Sequence, residues 1–164
     1  MINAHLTRLG EQAAAILVAR KETVGVSESS AGGLIAASLL AVPGASAYFL
    51  GGSVTYARPA ARGFLGVERL PEGMRSATEP YAAFMAGRVR ERVGATWGLA
   101  EAGAAGPTGN RYGDPAGHSC LAVAGPDARV RTLRTGSGDR PANMVAFAEA
   151  ALTLFVEALH AGKA

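Results

Sequence analysis

Thr23-Val24-Gly25-Val26-Ser27-Glu28-Ser29-Ser30-Ala31-Gly32-Gly33-Leu34-Ile35-Ala36-Ala37-Ser38-Leu39-Leu40 reads as a strand, a turn of small residues and the start of a helix. Val24 and Val26 lie in a short β-branched run bounded by charges, which predicts a buried strand over residues 23–28. Leu34 to Leu40 is made of good helix formers, and a helix is predicted over residues 31–41, stopped by Pro43-Gly44. A strand that runs into a helix N-terminus leaves backbone N–H groups unpaired and aims the positive end of the helix dipole at the turn. Gly32 and Gly33 let a ligand approach the backbone, and two hydroxyls, Ser29 and Ser30, stand at the same place. The turn therefore has two readings. One is a site for an anion or for acyl transfer through a stabilised oxyanion; the other is a Ser/Gly cap without chemistry.

Composition narrows the class. The 164 residues suit one domain, taken here as residues 1–164. With 49% hydrophobic and 18% charged residues the chain is globular rather than disordered. The formal net charge is only +3, and there is no basic run or aromatic-basic interleaving, so a nucleic-acid partner is not expected. Fourteen of the sixteen basic residues are arginines, an excess attributed to GC-rich codon usage. Cys120, the sole cysteine, lies in an apolar run and is read as a buried, inert thiol. No signal peptide, no apolar run of about 18 residues and no metal-ligand cluster is read. The expectation is a cytoplasmic protein with no membrane partner, no metal and no cofactor.

Outward from the opening stretch, Leu6, Leu9, Ala13, Ile16 and Leu17 recur at helical spacing and predict a helix over residues 4–20. Residues 47–56 read as a helical bend, interrupted at Gly51-Gly52, then a strand over Ser53 to Tyr56. Pro59 to Leu65 is a short helix. Thr78-Glu79-Pro80 opens a long helix to about Val93. Thr96 to Ala102 is a strand, and strands at His118–Ala124 and Arg129–Thr135 form a hairpin around Gly125-Pro126-Asp127. A helix follows from Arg140 to His160. Strands alternating with helices, then a hairpin, predict a mixed sheet covered on both faces, a three-layer α/β/α sandwich.

Ser27-Glu28-Ser29-Ser30-Ala31-Gly32-Gly33, followed by Val42-Pro43-Gly44-Ala45-Ser46-Ala47-Tyr48-Phe49-Leu50-Gly51-Gly52-Ser53-Val54-Thr55-Tyr56, resembles the CinA C-terminal-domain family. This competence/damage-inducible family includes nicotinamide mononucleotide deamidases. Its pattern is roughly AESCTGG, then VPGSSAYFxGGxVTYSNEAK, LGV, TGIAGP, PVGTV and GDR. Here Phe64-Leu65-Gly66-Val67, Gly103-Ala104-Ala105-Gly106-Pro107, Pro115-Ala116-Gly117-His118 and Gly138-Asp139-Arg140 follow in that order, from about residue 5 to residue 158. The resemblance implies the same sandwich, a tendency to form homo-oligomers, and hydrolysis of the carboxamide of a pyridine mononucleotide without a cofactor; the chain's own 49% hydrophobic content also points to self-association, with apolar stretches such as Ala45 to Leu50 expected at the contact.

The family scheme uses a serine nucleophile, a lysine base and backbone oxyanion donors. A serine hydroxyl needs a neighbour to take its proton, and a lysine serves only with a lowered pKa. Carried over position by position, the serine falls on Ser29, the cysteine on Ser30, the threonine on Ala31 and the glycines on Gly32 and Gly33. The lysine falls on Ala61, and the hydroxyl residue of TGIAGP on Ala102. Arg62 is turned about 100° away on a helix and stays protonated. The serine and the turn are thus retained, while three polar side chains of the site have become alanine.

His118, at the start of a strand, and Glu101, beside the lost hydroxyl, are the replacement candidates. Each reads as a base for Ser29, with Glu101 also able to orient His118, or as an ordinary strand-end group. Glu28 holds the loop or orients substrate. Tyr56 stacks on a pyridine ring or belongs to the core. Arg140 grips a phosphate, or Gly138-Asp139-Arg140 is merely an Asp-capped helix start. Two functions follow: a diverged nicotinamide-nucleotide amidase with weak or no activity, or a degenerate nucleotide-binding or protein-interaction module. In either, the expected ligand is a pyridine mononucleotide or other small anion, bound at residues 29–33.

Overall fold

Leu6, Leu9, Ala13 and Leu17 form the buried face of α1 (Ala4–Arg20). Asn3 caps this helix by accepting from the Leu6 N–H, and Lys21 closes it in the left-handed conformation. The structure, a computed structural model, describes residues 2–162, so Lys163 lies outside it. β1 (Val24–Glu28) is buried throughout, and α2 (Leu34–Leu40) follows it. After a 3₁₀ turn at Ala45–Ala47 come β2 (Phe49–Val54), α3 (Arg58–Leu65) and α4 (Glu79–Val93). β3 (Trp97–Ala104), β4 (His118–Ala124), β5 (Arg129–Arg134) and α5 (Arg140–Ala161) complete the order.

The five strands form one sheet in the order β2-β1-β3-β4-β5. β1 pairs parallel with both β2 and β3, while β3–β4 and β4–β5 are antiparallel. This is the expected α/β sandwich with a mixed sheet. α1, α2 and α5 cover one face, where Val24, Val26, Trp97, Leu99 and Leu121 meet Phe147 and Phe155. α3 and α4 cover the other, where Ala100, Ala102, Cys120 and Ala122 meet Ala61, Tyr81 and Met85. The small side chains on this second face let α4 lie close: a Cβ on Gly98 would fall 2.0 Å from the Ala86 carbonyl oxygen.

Three elements differ from expectation by two residues or more. β2 begins at Phe49 and runs through Gly51-Gly52 rather than starting at Ser53. β3 extends two residues further, to Ala104. α2 starts at Leu34 instead of Ala31, because Gly32 and Gly33 have φ of +68° and +99°, which a right-handed helix cannot include. α5 is long and apolar enough to cross a membrane, although no such run was read in the sequence. Half of its most apolar window is buried, and Phe147, Leu152 and Phe155 pack into the core.

Candidate active site

The chain leaves β1 through α2 to reach β2 on one side and later passes through α3 and α4 to reach β3 on the other. In open sheets such a divergence leaves a crevice beyond the carboxyl ends of the strands. Here it is a cleft of about 1030 Å³, lined by Ser29 after β1, Thr55 and Tyr56 after β2, Ala61 of α3, and Ala102 and Gly103 on β3.

The turn above β1 is already occupied. Glu28 accepts from the N–H groups of Gly33 at 2.9 Å, Ile35 at 3.1 Å and Ala36 at 2.7 Å. Glu101, reaching across from β3, accepts from the N–H groups of Ser29 at 3.0 Å and Ala31 at 2.8 Å. It also accepts from the hydroxyls of Ser30 at 2.5 Å and Ser119 at 3.0 Å. Glu28 and Glu101 are 1% and 2% exposed. The N–H groups expected to be free for an outside anion are therefore bonded to two internal carboxylates. Burial pushes the Glu28 carboxyl up to about 6; its backbone donors oppose the rise and nearby Glu101 adds to it.

The two serines part company. Ser29 is half-buried and lines the cleft. Ser30 is buried with its hydroxyl turned onto Glu101, so it supports the turn instead of facing the cleft. Gly32 and Gly33 supply the left-handed backbone, and Gly33 also donates to Glu28.

Glu101 and His118 fall on opposite faces of the sheet. Glu101 stands opposite Leu121 and Ala104 opposite His118 in the β3–β4 ladder, and side chains alternate along each strand. Glu101 thus shares the face of Leu99 and Leu121, whereas His118 shares that of Cys120. His118 Nε2 lies 2.9 Å from the Ala77 carbonyl oxygen, and its Nδ1 is buried without a partner. Neither residue is bonded to the Ser29 hydroxyl. The Ser29–His118 and His118–Glu101 pairings that a catalytic reading needs do not form: strand alternation puts Glu101 and His118 on opposite faces, and the His118 Nε2 is turned onto the Ala77 carbonyl. Cys120 is buried as expected, and burial pushes its thiol up.

Ala61, the position the resemblance gives to the lysine base, does face the cleft, as does Ala102. Arg62 also lines it, 3.8 Å from Glu68. Tyr56 is 63% exposed in the cleft wall and is not core. Its hydroxyl accepts from Arg140 at 3.1 Å, and Arg140 also donates to the Gly106 carbonyl at 2.7 Å. Arg140 thus ties the loop after β3 to Tyr56 and makes no hydrogen bond to the 29–33 turn, while Asp139 caps α5 through the Ala142 N–H.

Sequence reasoning missed an arginine wall. Arg58, Arg62, Arg69, Arg75 and Arg111 all line the cleft. The guanidinium carbons of Arg75 and Arg111 lie 5.3 and 5.1 Å from the Tyr112 ring centroid. Arg75 makes two bonds to Asp114, at 2.7 and 3.2 Å, and holds that carboxyl at about 2. These arginines come from three separate segments, so no local pattern announced them. The arginine excess was the one visible signal.

A family profile described as the CinA C-terminal domain matches residues 6–159. A CinA-like protein of Desulfosudis oleivorans is 47% identical over 113 residues, covering 68% of this chain and 27% of that protein. One from Chlorobium limicola is 39% identical over 153 residues, covering 89% of this chain and 35% of the relative. The chain thus spans about a third of the length of these curated relatives. Among solved structures, the competence/damage inducible protein CihA of Agrobacterium tumefaciens superposes with a TM-score of 0.86 at 27% identity, covering 96% of this chain and 98% of that one. The CinA superfamily protein KP700603 of Klebsiella pneumoniae gives 0.84 at 27% identity over 95% and 98%. Motif order, sheet topology and a profile match over nearly the whole chain agree: the chain belongs to the CinA C-terminal domain family.

Proposed function

We propose that the cleft binds a phosphorylated pyridine nucleotide of the nicotinamide mononucleotide class and does not hydrolyse its carboxamide at an enzymic rate. The observation that carries this reading is Ala61: the cleft-facing position that resembles the family's lysine has no proton acceptor. The other titratable candidates are engaged elsewhere, Glu101 under the turn and His118 on the Ala77 carbonyl. The Ser29 hydroxyl stands in the cleft without a base to take its proton. Binding is supported by the cleft itself, with exposed Tyr56 as a surface for a ring and guanidiniums for a phosphate.

Loss of general-base catalysis costs roughly 10²–10⁴-fold. From an ordinary turnover of about 10 per second, this leaves about 10⁻³ to 10⁻¹ per second. Ammonia release from nicotinamide mononucleotide, followed beside calorimetric binding, tests both halves. The expected result is measurable binding with ammonia release in that low range. Several turnovers per second would overturn the loss of chemistry, and no heat or melting shift at millimolar ligand would overturn the binding.

A further inference from the structure

We infer that the cleft prefers a ligand ending in two linked phosphates, the nucleoside diphosphate class, over its monophosphate counterpart. The inference rests on the reading that the cleft binds a phosphorylated small molecule, and it adds the charge of that molecule.

Of the five arginines in the wall, two have acidic partners: Arg62 faces Glu68 and Arg75 holds Asp114. Arg58, Arg69 and Arg111 line the same cleft and form no ion pair among the described residues. The cleft therefore carries three uncompensated positive charges, as many as the whole chain's formal excess of +3. A terminal monophosphate carries about −2 near neutral pH, and a second linked phosphate adds about one more negative charge. The diphosphate matches the cleft; the monophosphate leaves a guanidinium without an anion.

The geometry offers places for more than one phosphate. α3 begins with no side-chain cap and no acid in its first turn, and Ala57, Arg58 and Pro59 at that end line the cleft. Pro59 has no N–H, and Ala60 and Ala61 donate to the Ala57 carbonyl, so what this wall offers an anion is the Arg58 guanidinium. Asn110, Arg111 and Tyr112 line the same cleft, and there Arg111 donates to the Tyr112 hydroxyl at 3.1 Å. That hydroxyl is held below the usual phenol range by Ser76 first, then Arg111, with Arg58 close enough to contribute. Arg58, Arg69 and Arg111 thus bring guanidiniums to one cleft from three separate segments of the chain. At about 1030 Å³ the cleft lies at the top of the range of roughly 300–1,000 Å³ usual for ligand pockets, which leaves room beyond a mononucleotide.

Calorimetric titration of the full chain with ADP and AMP, in the same buffer without divalent metal, tests the inference; nicotinamide mononucleotide serves as the reference ligand. ADP is expected to bind at least roughly tenfold more tightly than AMP. Arg58→Gln and Arg111→Gln should each bring ADP towards the AMP affinity. Arg92→Gln, outside the cleft, should leave the ratio unchanged. Urea midpoints confirm folding of these surface variants, and the wild-type ADP-to-AMP ratio decides the matter even if one variant fails. Equal binding of ADP and AMP, or a preference that survives both variants, would overturn the inference and leave the mononucleotide reading standing. No binding of ADP, AMP or nicotinamide mononucleotide would overturn both.

Discussion

Glu101→Ala removes the carboxylate that holds the serine turn to β3. Its two oxygens accept four hydrogen bonds, from the Ser29 and Ala31 N–H groups and from the Ser30 and Ser119 hydroxyls. Hydrogen bonds to a charged group are worth about 1.5–3 kcal/mol each, but the gross sum is offset by the cost of burying the carboxylate. Breaking a buried charged network from one side typically costs about 3–5 kcal/mol. Ser30 and Ser119, at 4% and 0% exposed, have no access to replacement water, which places this site at that level. For a domain of this size 1 kcal/mol shifts Tm by about 2–4 °C, so a fall of about 6–20 °C is expected. Urea unfolding at pH 7 followed by circular dichroism, with calorimetry for Tm, measures it. Formate, small enough to occupy the vacated space, should restore part of the loss by mass action. A loss below about 1 kcal/mol would refute the claim that Glu101 anchors the turn.

Ala61→Lys combined with Ala102→Thr should raise ammonia release from nicotinamide mononucleotide by at least about 10²-fold, with the neighbouring guanidiniums lowering the new lysine's pKa. The gain should vanish with Ser29→Ala; a folded, ligand-binding double variant that gains nothing would sink the assignment of position 61. Ser30→Ala should cost about 1.5 kcal/mol of stability through its bond to Glu101, and Ser29→Ala less than about 0.5 kcal/mol, as read by urea midpoints. Glu28 is raised in the folded state from its ordinary 4.5 to about 6, so it binds more protons folded than unfolded between those values. Its contribution is fully present below about pH 4.5 and is lost as pH rises through about 6, by about 2 kcal/mol. Unfolding free energies at pH 4.5 and pH 7 should show that difference in the wild type and lack it in Glu28→Gln.

Much of the fold was legible because its signals are local. The heptad-like spacing of Leu6, Leu9, Ala13 and Leu17, and the Thr78 and Asp139 caps followed by proline, mark α1, α4 and α5 where they occur. Gly51-Gly52 misled because glycine was read as a break. In β2 it marks close approach instead: a Cβ on Gly52 would meet the Ala36 Cβ at 3.1 Å. The occupied turn was not legible, since Glu101 lies 72 residues from Ser29 and its role depends on which face of β3 it takes. The position of Ala61 in the cleft wall was legible from the motif alignment, whereas the arginine wall exists only once three distant segments meet.

The alternation along β3 has an evolutionary consequence. Trp97, Leu99 and Glu101 hold the core and the turn, while Ala100 and Ala102 serve the face that carries the cleft. The second set is not free of structural duty: Ala102 packs with Ala61, Tyr81 and Met85 and also lines the cleft. A lineage that changes position 61 or 102 therefore changes packing and cleft together, and the parity of β3 confines that coupling to one face of the sheet while Leu99 and Glu101 go untouched.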